Sequence, residues 1–374
     1  MHLSRLLLVP GLALALVVQA EAAPIDLPIK TWVKRRLPLA GQGPCPYGCK
    51  HMRLAVNPVN GRIYFEGGDY STIDFYDSGR NETYSYSIQD DTWRLEYPYC
   101  GPAGQYQPMH PDEVGWAFDT QRNIFWMVPG YTGAPGGGCP ANGATQVRFE
   151  IFTFDPVAKT WTWPHRTSIA ANGWGNRFAQ YDPVSDTIIQ VLYNGGPGIG
   201  IYHIATDTWE FKWFSGGGDM SEGYSSMDLA QRKIYVVDGF SKKLWRYDMD
   251  AKTFAIIADT PPLANETQVR TAWDSANRVL YLVDYVLGVD ASLARMHIYH
   301  PDTGAWEAFP LTLSEDGGPV YGNHMVYDAA QNALVLLGGD INPARPYFYL
   351  FRYGGGSGPA DSLAPSAPTN LRPR

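Results

Sequence analysis

The chain has 374 residues, 45% of them hydrophobic, and a formal net charge of −8 with no cluster of Lys and Arg, which argues against a nucleic-acid partner. Its 39 Gly and 29 Pro favour a fold of many turns over one of long helices. The length suits two ordinary domains or one closed ring of repeats.

Residues 1–23 read as an export signal. His2 and Arg5 give a positive start, Leu6–Val18 an apolar core too short to span a bilayer comfortably, and Ala20-Glu21-Ala22 a small-x-small cleavage site. The expectation is a secreted protein, extracellular or periplasmic, with no membrane span. Beyond residue 24 no long stretch shows helical period. IKTWVKRRL, around Trp32, reads instead as a lone strand near 31–37.

From there the sequence repeats itself. An Asp or Asn before a polar turn, followed by an apolar run, recurs at Asn57, Asp119, Asp182, Asp228, Asp274 and Asp328. Each copy is two strands joined by a tight turn, as in SSMDLAQRKIYVVDG. A second signature trails five of them: Trp93, Trp161, Trp209, Phe254 and Trp306, each after a polar turn. The stretch Ser225–Ile257 shows a whole unit, with strands at Ser225–Asp228, Arg232–Val237, Leu244–Asp248 and Thr253–Ile257. One such sheet cannot bury both faces alone and needs copies to pack against. The sixth copy ends at FYLFRY with no aromatic turn after it, and the strand around Trp32 supplies the missing piece. Closing the ring in this way removes exposed sheet edges.

Six copies near the roughly 50-residue period of kelch repeats point to a β-propeller. The glycine pairs Gly67-Gly68, Gly195-Gly196 and Gly338-Gly339, with the later Tyr and Trp, resemble the kelch motif over about residues 31–353. Pro129-Gly130, Asp238-Gly239 and Asp284-Tyr285 depart from it. The resemblance implies an all-β, six-bladed kelch-type propeller of four-stranded blades over residues 24–353, closed by the N-terminal strand, like the central domain of galactose oxidase. It is weak for function, since kelch propellers include oxidases, sugar isomerases, lyases and pure binding modules. Residues 354–374 have the composition of a flexible linker, ending in a stretch that looks like the opening strand of a fibronectin type III module.

In an exported chain four cysteines favour disulfides. In the usual propeller sense all four fall on one face of the ring, and Cys45 with Cys49, and Cys100 with Cys139, is the preferred pairing. C-x3-C spacing fits structural zinc poorly, so no metal is expected. Two sequons, Asn81-Glu-Thr and Asn265-Glu-Thr, fall in expected loops and mean glycosylation only in a eukaryotic host. The longest loops, Asp69–Thr83 and Gly130–Gln146, lie on the cysteine face, where binding usually concentrates.

The innermost strands begin around one mouth of the channel. Arg53, Tyr224, Arg270 and His324 all stand four residues before the repeat Asp or Asn and so point toward a common region. Arg53, Arg177 and Arg270 suit a carboxylate, and Asn323 and Trp174 suit a sugar ring. His51, His110, His324 and Tyr224 are candidate proton donors or acceptors. The first reading is a carbohydrate or other extracellular ligand bound at the mouth by a monomeric protein with no cofactor. The alternatives are a lyase carrying out β-elimination on a uronate polymer, a sugar isomerase, and a protein-interaction scaffold. A polar rim kept only for solvation would give the same residues. Gly196-Pro-Gly-Ile-Gly200 lies in an expected hairpin, with no strand-to-helix unit to cradle phosphate.

Overall fold

The computed structural model describes residues 25–36, 54–66, 82–98, 115–128, 151–165, 175–192, 198–214, 224–239, 241–263, 269–284, 295–311, 324–341 and 344–355. Among them there is no helix, and every strand belongs to one of six four-stranded antiparallel sheets. The first strand, β1 (Trp32–Arg36), stands apart from the first blade. Blade 1 is β2 (Leu54–Asn57), β3 (Arg62–Glu66), β4 (Thr83–Ser87) and β5 (Thr92–Tyr97); blade 2 is β6 (Gly115–Asp119), β7 (Ile124–Val128), β8 (Ile151–Asp155) and β9 (Thr160–His165). Blade 3 is β10 (Gly175–Asp182), β11 (Thr187–Leu192), β12 (Gly198–His203) and β13 (Thr208–Trp213). Blade 4 is β14 (Tyr224–Asp228), β15 (Lys233–Asp238), β16 (Lys243–Asp248) and β17 (Thr253–Asp259), matching the expected unit to within about two residues. Blade 5 is β18 (Arg270–Asp274), β19 (Val279–Asp284), β20 (Arg295–His300) and β21 (Ala305–Pro310).

Blade 6 is β22 (His324–Asp328), β23 (Ala333–Ile341) and β24 (Ala344–Phe351), and its fourth strand is β1, paired antiparallel with β24 from Trp32↔Phe351 to Arg36↔Tyr347. The sixth fourth-strand aromatic is therefore Trp32, whose ring lies 4.8 Å from that of Phe351. The latch extends past the strand: Arg352 donates to the carbonyls of Ile25 at 2.8 Å and Gln331 at 2.9 Å.

The recurring aromatics pack within blades, as the repeat reading required. Trp93 sits on Tyr86 at 4.6 Å, Trp161 on Phe154 at 5.1 Å, Trp209 on Tyr202 at 5.3 Å and Trp306 on Tyr299 at 4.9 Å. Phe254 lies nearest Trp245, at 5.0 Å. Six apolar clusters follow, one between each pair of neighbouring blades, including the pair joining blade 6 to blade 1. A sheet buried on both faces explains runs such as the fully buried TIIQVL of β11.

The repeat Asp or Asn ends each innermost strand and is buried in all six blades. Its side-chain oxygen accepts backbone N–H bonds two or three residues on, as from Val59 to Asn57 at 2.9 Å and Gln121 to Asp119 at 2.9 Å. The fourth residue on then takes a left-handed backbone: Gly61, Asn123, Asp186, Arg232, Arg278 and Asn332 have φ between 47° and 63°. The third-to-fourth strand turns repeat this at Asp91, Lys159, Asp207, Lys252 and Gly304. Four of these residues also hold a tyrosine hydroxyl five positions back: Tyr86 to Asp91 at 2.6 Å, Tyr181 to Asp186 at 2.9 Å, Tyr202 to Asp207 at 2.9 Å and Tyr327 to Asn332 at 2.8 Å. Ion pairs tie blades together along the same turns, Arg122 to Asp186 at 2.6 Å and Arg232 to Asp182 at 2.6 Å.

Candidate functional site

The six innermost strands, β2, β6, β10, β14, β18 and β22, each end their sheet and neighbour one another in a ring. They enclose a central cavity of about 290 Å³. An innermost strand has a ladder partner on one side only, so its other edge carries unpaired N–H and C=O groups toward the lumen. The cavity is thus a hydrogen-bonding space even where apolar side chains such as Leu54, Val56, Phe178 and Met325 line it.

At the mouth the structure brings two of the expected residues together. Tyr224 opens β14 and Arg270 opens β18, and the Arg270 guanidinium carbon lies 4.2 Å from the centre of the Tyr224 ring. Both line the cavity, yet Arg270 is only 6% exposed and Tyr224 5%, so neither is a freely solvated rim residue. Arg270 is held by its own strand, donating from Nη1 to the Val269 carbonyl at 2.9 Å. Deeper along these strands, Ser226 donates to Thr271 at 3.0 Å, joining the same two blades. A cation stacked on an aromatic face is attracted by the ring quadrupole, which holds the guanidinium in place at the entrance.

The equal-offset expectation holds for part of the ring. His324 opens β22 as Tyr224 and Arg270 open theirs. In blades 2 and 3 the same offset falls on Gly115 and Phe178. At Gly115 a Cβ would stand 2.5 Å from the Cβ of Ala179, so blades 2 and 3 approach too closely there for any side chain. Arg177 lies in β10, whose pairing with β11 shifts register between Gly175 and Ala179. His51, Arg53, His110, Trp174, Asn323 and the cysteines at 45, 49, 100 and 139 lie outside the described residues, as do residues 1–23; for His324 and Arg177 the backbone alone is described.

Two properties of β22 were not foreseen. Tyr327 lines the channel with its hydroxyl tied to Asn332, and burial together with the Asp274 carboxylate pushes its phenol up, so it stays a neutral donor. Asp328, which ends β22, is fully buried behind the cavity wall. Its Oδ1 accepts N–H bonds from Ala330 at 3.0 Å and Gln331 at 3.2 Å, while Oδ2 has no partner, and burial pushes its carboxyl up to about 6. Among the described residues no cluster of three His, Cys, Asp or Glu could hold a metal ion, and no helix is long and apolar enough to cross a membrane.

No family model matches the chain, and no curated protein does. Solved structures do. A structural genomics protein of unknown function from Bacteroides thetaiotaomicron superposes with a TM-score of 0.53 at 11% identity, covering 81% of this chain and 70% of that one. An auxiliary nutrient binding protein from the same organism gives 0.50 at 12% identity with the same coverage. TolB from Acinetobacter baumannii gives 0.45 at 15% identity, covering 71% of this chain and 55% of that one. At these identities the likeness is one of fold.

Proposed function

We propose that the protein is a ligand-binding propeller acting outside the cytoplasm, and that its channel mouth takes a small acidic carbohydrate. The observation that carries this is the buried Arg270 stacked on Tyr224 at the entrance of a cavity walled by six unpaired strand edges. A guanidinium supplies a forked pair of donors for a carboxylate, and free backbone groups suit a ring of hydroxyls. A cavity of about 290 Å³ fits a monosaccharide or a chain end better than the middle of a polymer. The nutrient binding protein that shares the fold is consistent with capture of a small ligand. The signal-like residues 1–23 support export, and the repeat glycines support kelch-type ancestry. His324, Arg53 and Arg177 would complete the mouth from neighbouring blades, and Trp174 would stack on the sugar.

The test is calorimetric titration with galacturonate, glucuronate and their short oligomers. Arg270→Ala should weaken binding by at least 30-fold, as expected when a buried charge pair with the ligand is removed. Arg270→Lys, which keeps the charge and loses the fork, should fall between. Neutral sugars binding as tightly as acidic ones, or unchanged affinity in Arg270→Ala, would refute it. Ultraviolet absorbance of unsaturated product in the same titrations would move the protein to the lyase reading, with Arg270 neutralising the carboxylate.

A further inference from the structure

Gly198 and Gly200, the end of a run that makes no phosphate loop, lie in β12, and their purpose is visible from β13. Gly198 pairs with Trp213 and Gly200 with Phe211. A Cβ on Gly198 would stand 2.7 Å from the Trp213 ring, and one on Gly200 would stand 3.1 Å from the Trp209 ring. The two indoles therefore lie flat against bare backbone. Trp209 and Phe211 are parallel to within 9° at 5.7 Å, and Trp213, at the end of the row, is 44% exposed.

The other blades act as an internal control. Every described fourth strand carries the packing aromatic that Trp209 represents; the next position on that face is Leu95, Ile256, Ala308 or Lys34 in blades 1, 4, 5 and 6, and Trp163 in blade 2. Of the six third strands, β12 alone contains glycine. Glycine weakens a strand interior and removes a side chain from the packing. The fold closes five times without glycine in the third strand and four times without an aromatic at the position of Phe211, so packing requires neither.

We infer that Phe211 and Trp213, backed by the packed Trp209, form a second, uncharged binding platform, and that its ligand is an extended neutral polysaccharide laid along β13. Residues two apart on a strand repeat at roughly 6.8 Å, so Phe211 and Trp213 offer two successive flat faces about 7 Å apart. Rings flush with the sheet leave neither knobs nor holes for a protein partner, while they match the C–H face of a pyranose. β13 is the outermost strand of its sheet, and its unpaired edge places N–H and C=O groups beside the rings for sugar hydroxyls. The platform is independent of Arg270.

Native affinity electrophoresis in gels containing xyloglucan, mixed-linkage β-glucan, galactomannan or polygalacturonate tests this with the full chain. At least one neutral polymer should retard the protein. Trp213→Ala should weaken that binding roughly ten-fold, about 1.4 kcal/mol. Trp213→Phe should restore most of it, Gly198→Ala should impair it by pushing the retained indole off the backbone, and Arg270→Ala should leave it unchanged; thermal melts verify that each variant folds. Three results would overturn the assignment: no retardation by any neutral polymer, equal retardation of wild type and Trp213→Ala, or retardation by polygalacturonate alone that Arg270→Ala abolishes. Self-association that disappears in Trp213→Ala would make β13 a strand-pairing edge and overturn it as well.

Discussion

Asp328→Asn should make the propeller more stable at neutral pH. Five of the six blades carry Asp at this position, and blade 1 carries Asn57, whose Oδ1 accepts the same turn bonds and whose amide donates to Asn123 at 3.4 Å. Asp328 has no exposure, and its Oδ2 has no partner. Burial raises its carboxyl from 3.8 to about 6, a shift worth about 3 kcal/mol of preference for the protonated form. Because the folded value is the higher one, the stabilising contribution is complete below about pH 4 and is lost as pH rises through about 6. At pH 7.5 the ionised carboxylate is a burden on the fold that an amide does not carry. The new NH2 lacks a partner, a penalty of about 1 kcal/mol, which leaves a net gain of about 2 kcal/mol. Urea unfolding followed by tryptophan fluorescence at pH 4.5, 5.5, 6.5 and 7.5 checks this. The difference between variant and wild type should be greatest at 7.5 and shrink to zero or change sign at 4.5. A difference that does not vary with pH would refute the reasoning, because other titrating groups cancel between the two proteins.

Two further outcomes follow from the same packing. Tyr281→Phe removes the hydroxyl that donates to Asp274 at 2.6 Å in a fully buried site, and should cost about 1–3 kcal/mol by urea unfolding. Trp32→Ala should cost about 2–3 kcal/mol, less than a fully buried tryptophan because Trp32 is partly exposed; deleting residues 25–36 should leave β24 an open edge and produce concentration-dependent association in size-exclusion chromatography.

The ring was readable because its signals are local and repeated. An Asx turn recurs every 46 to 63 residues with a packing aromatic trailing it, and the sixth copy lacks an aromatic that only Trp32 remained to supply. The mouth was readable as far as register carries. Tyr224 and Arg270 open their strands and meet, because nothing interrupts the pleat between them and Asp228 or Asp274. Counting does not reach Arg177, which stands five residues before Asp182, inside the stretch where β10 shifts register against β11. It fails at Gly115, because the distance between two blades is a property of their packing and of neither sequence alone. Trp209 was understood as a packing residue, but the role of Trp213 depended on which residues lie across the sheet from it. The pairing of glycines on β12 with indoles on β13 was the available signal, and it appears only when the hairpin register is known.

The N-terminal latch also constrains the order in which the molecule can assemble. Arg352 and Ile25, bonded in the folded ring, are 327 residues apart in the chain. Closing a flexible loop of that size costs on the order of 5 kcal/mol before any contact is made. Blades built from neighbouring hairpins shorten the effective loop as they form, so local pairing precedes the latch. A chain synthesised from its N-terminus presents β1 first and must carry it unpaired until β24 arrives. Closure is then the last step, and the one most exposed to capture of β1 by a second molecule's open sixth blade.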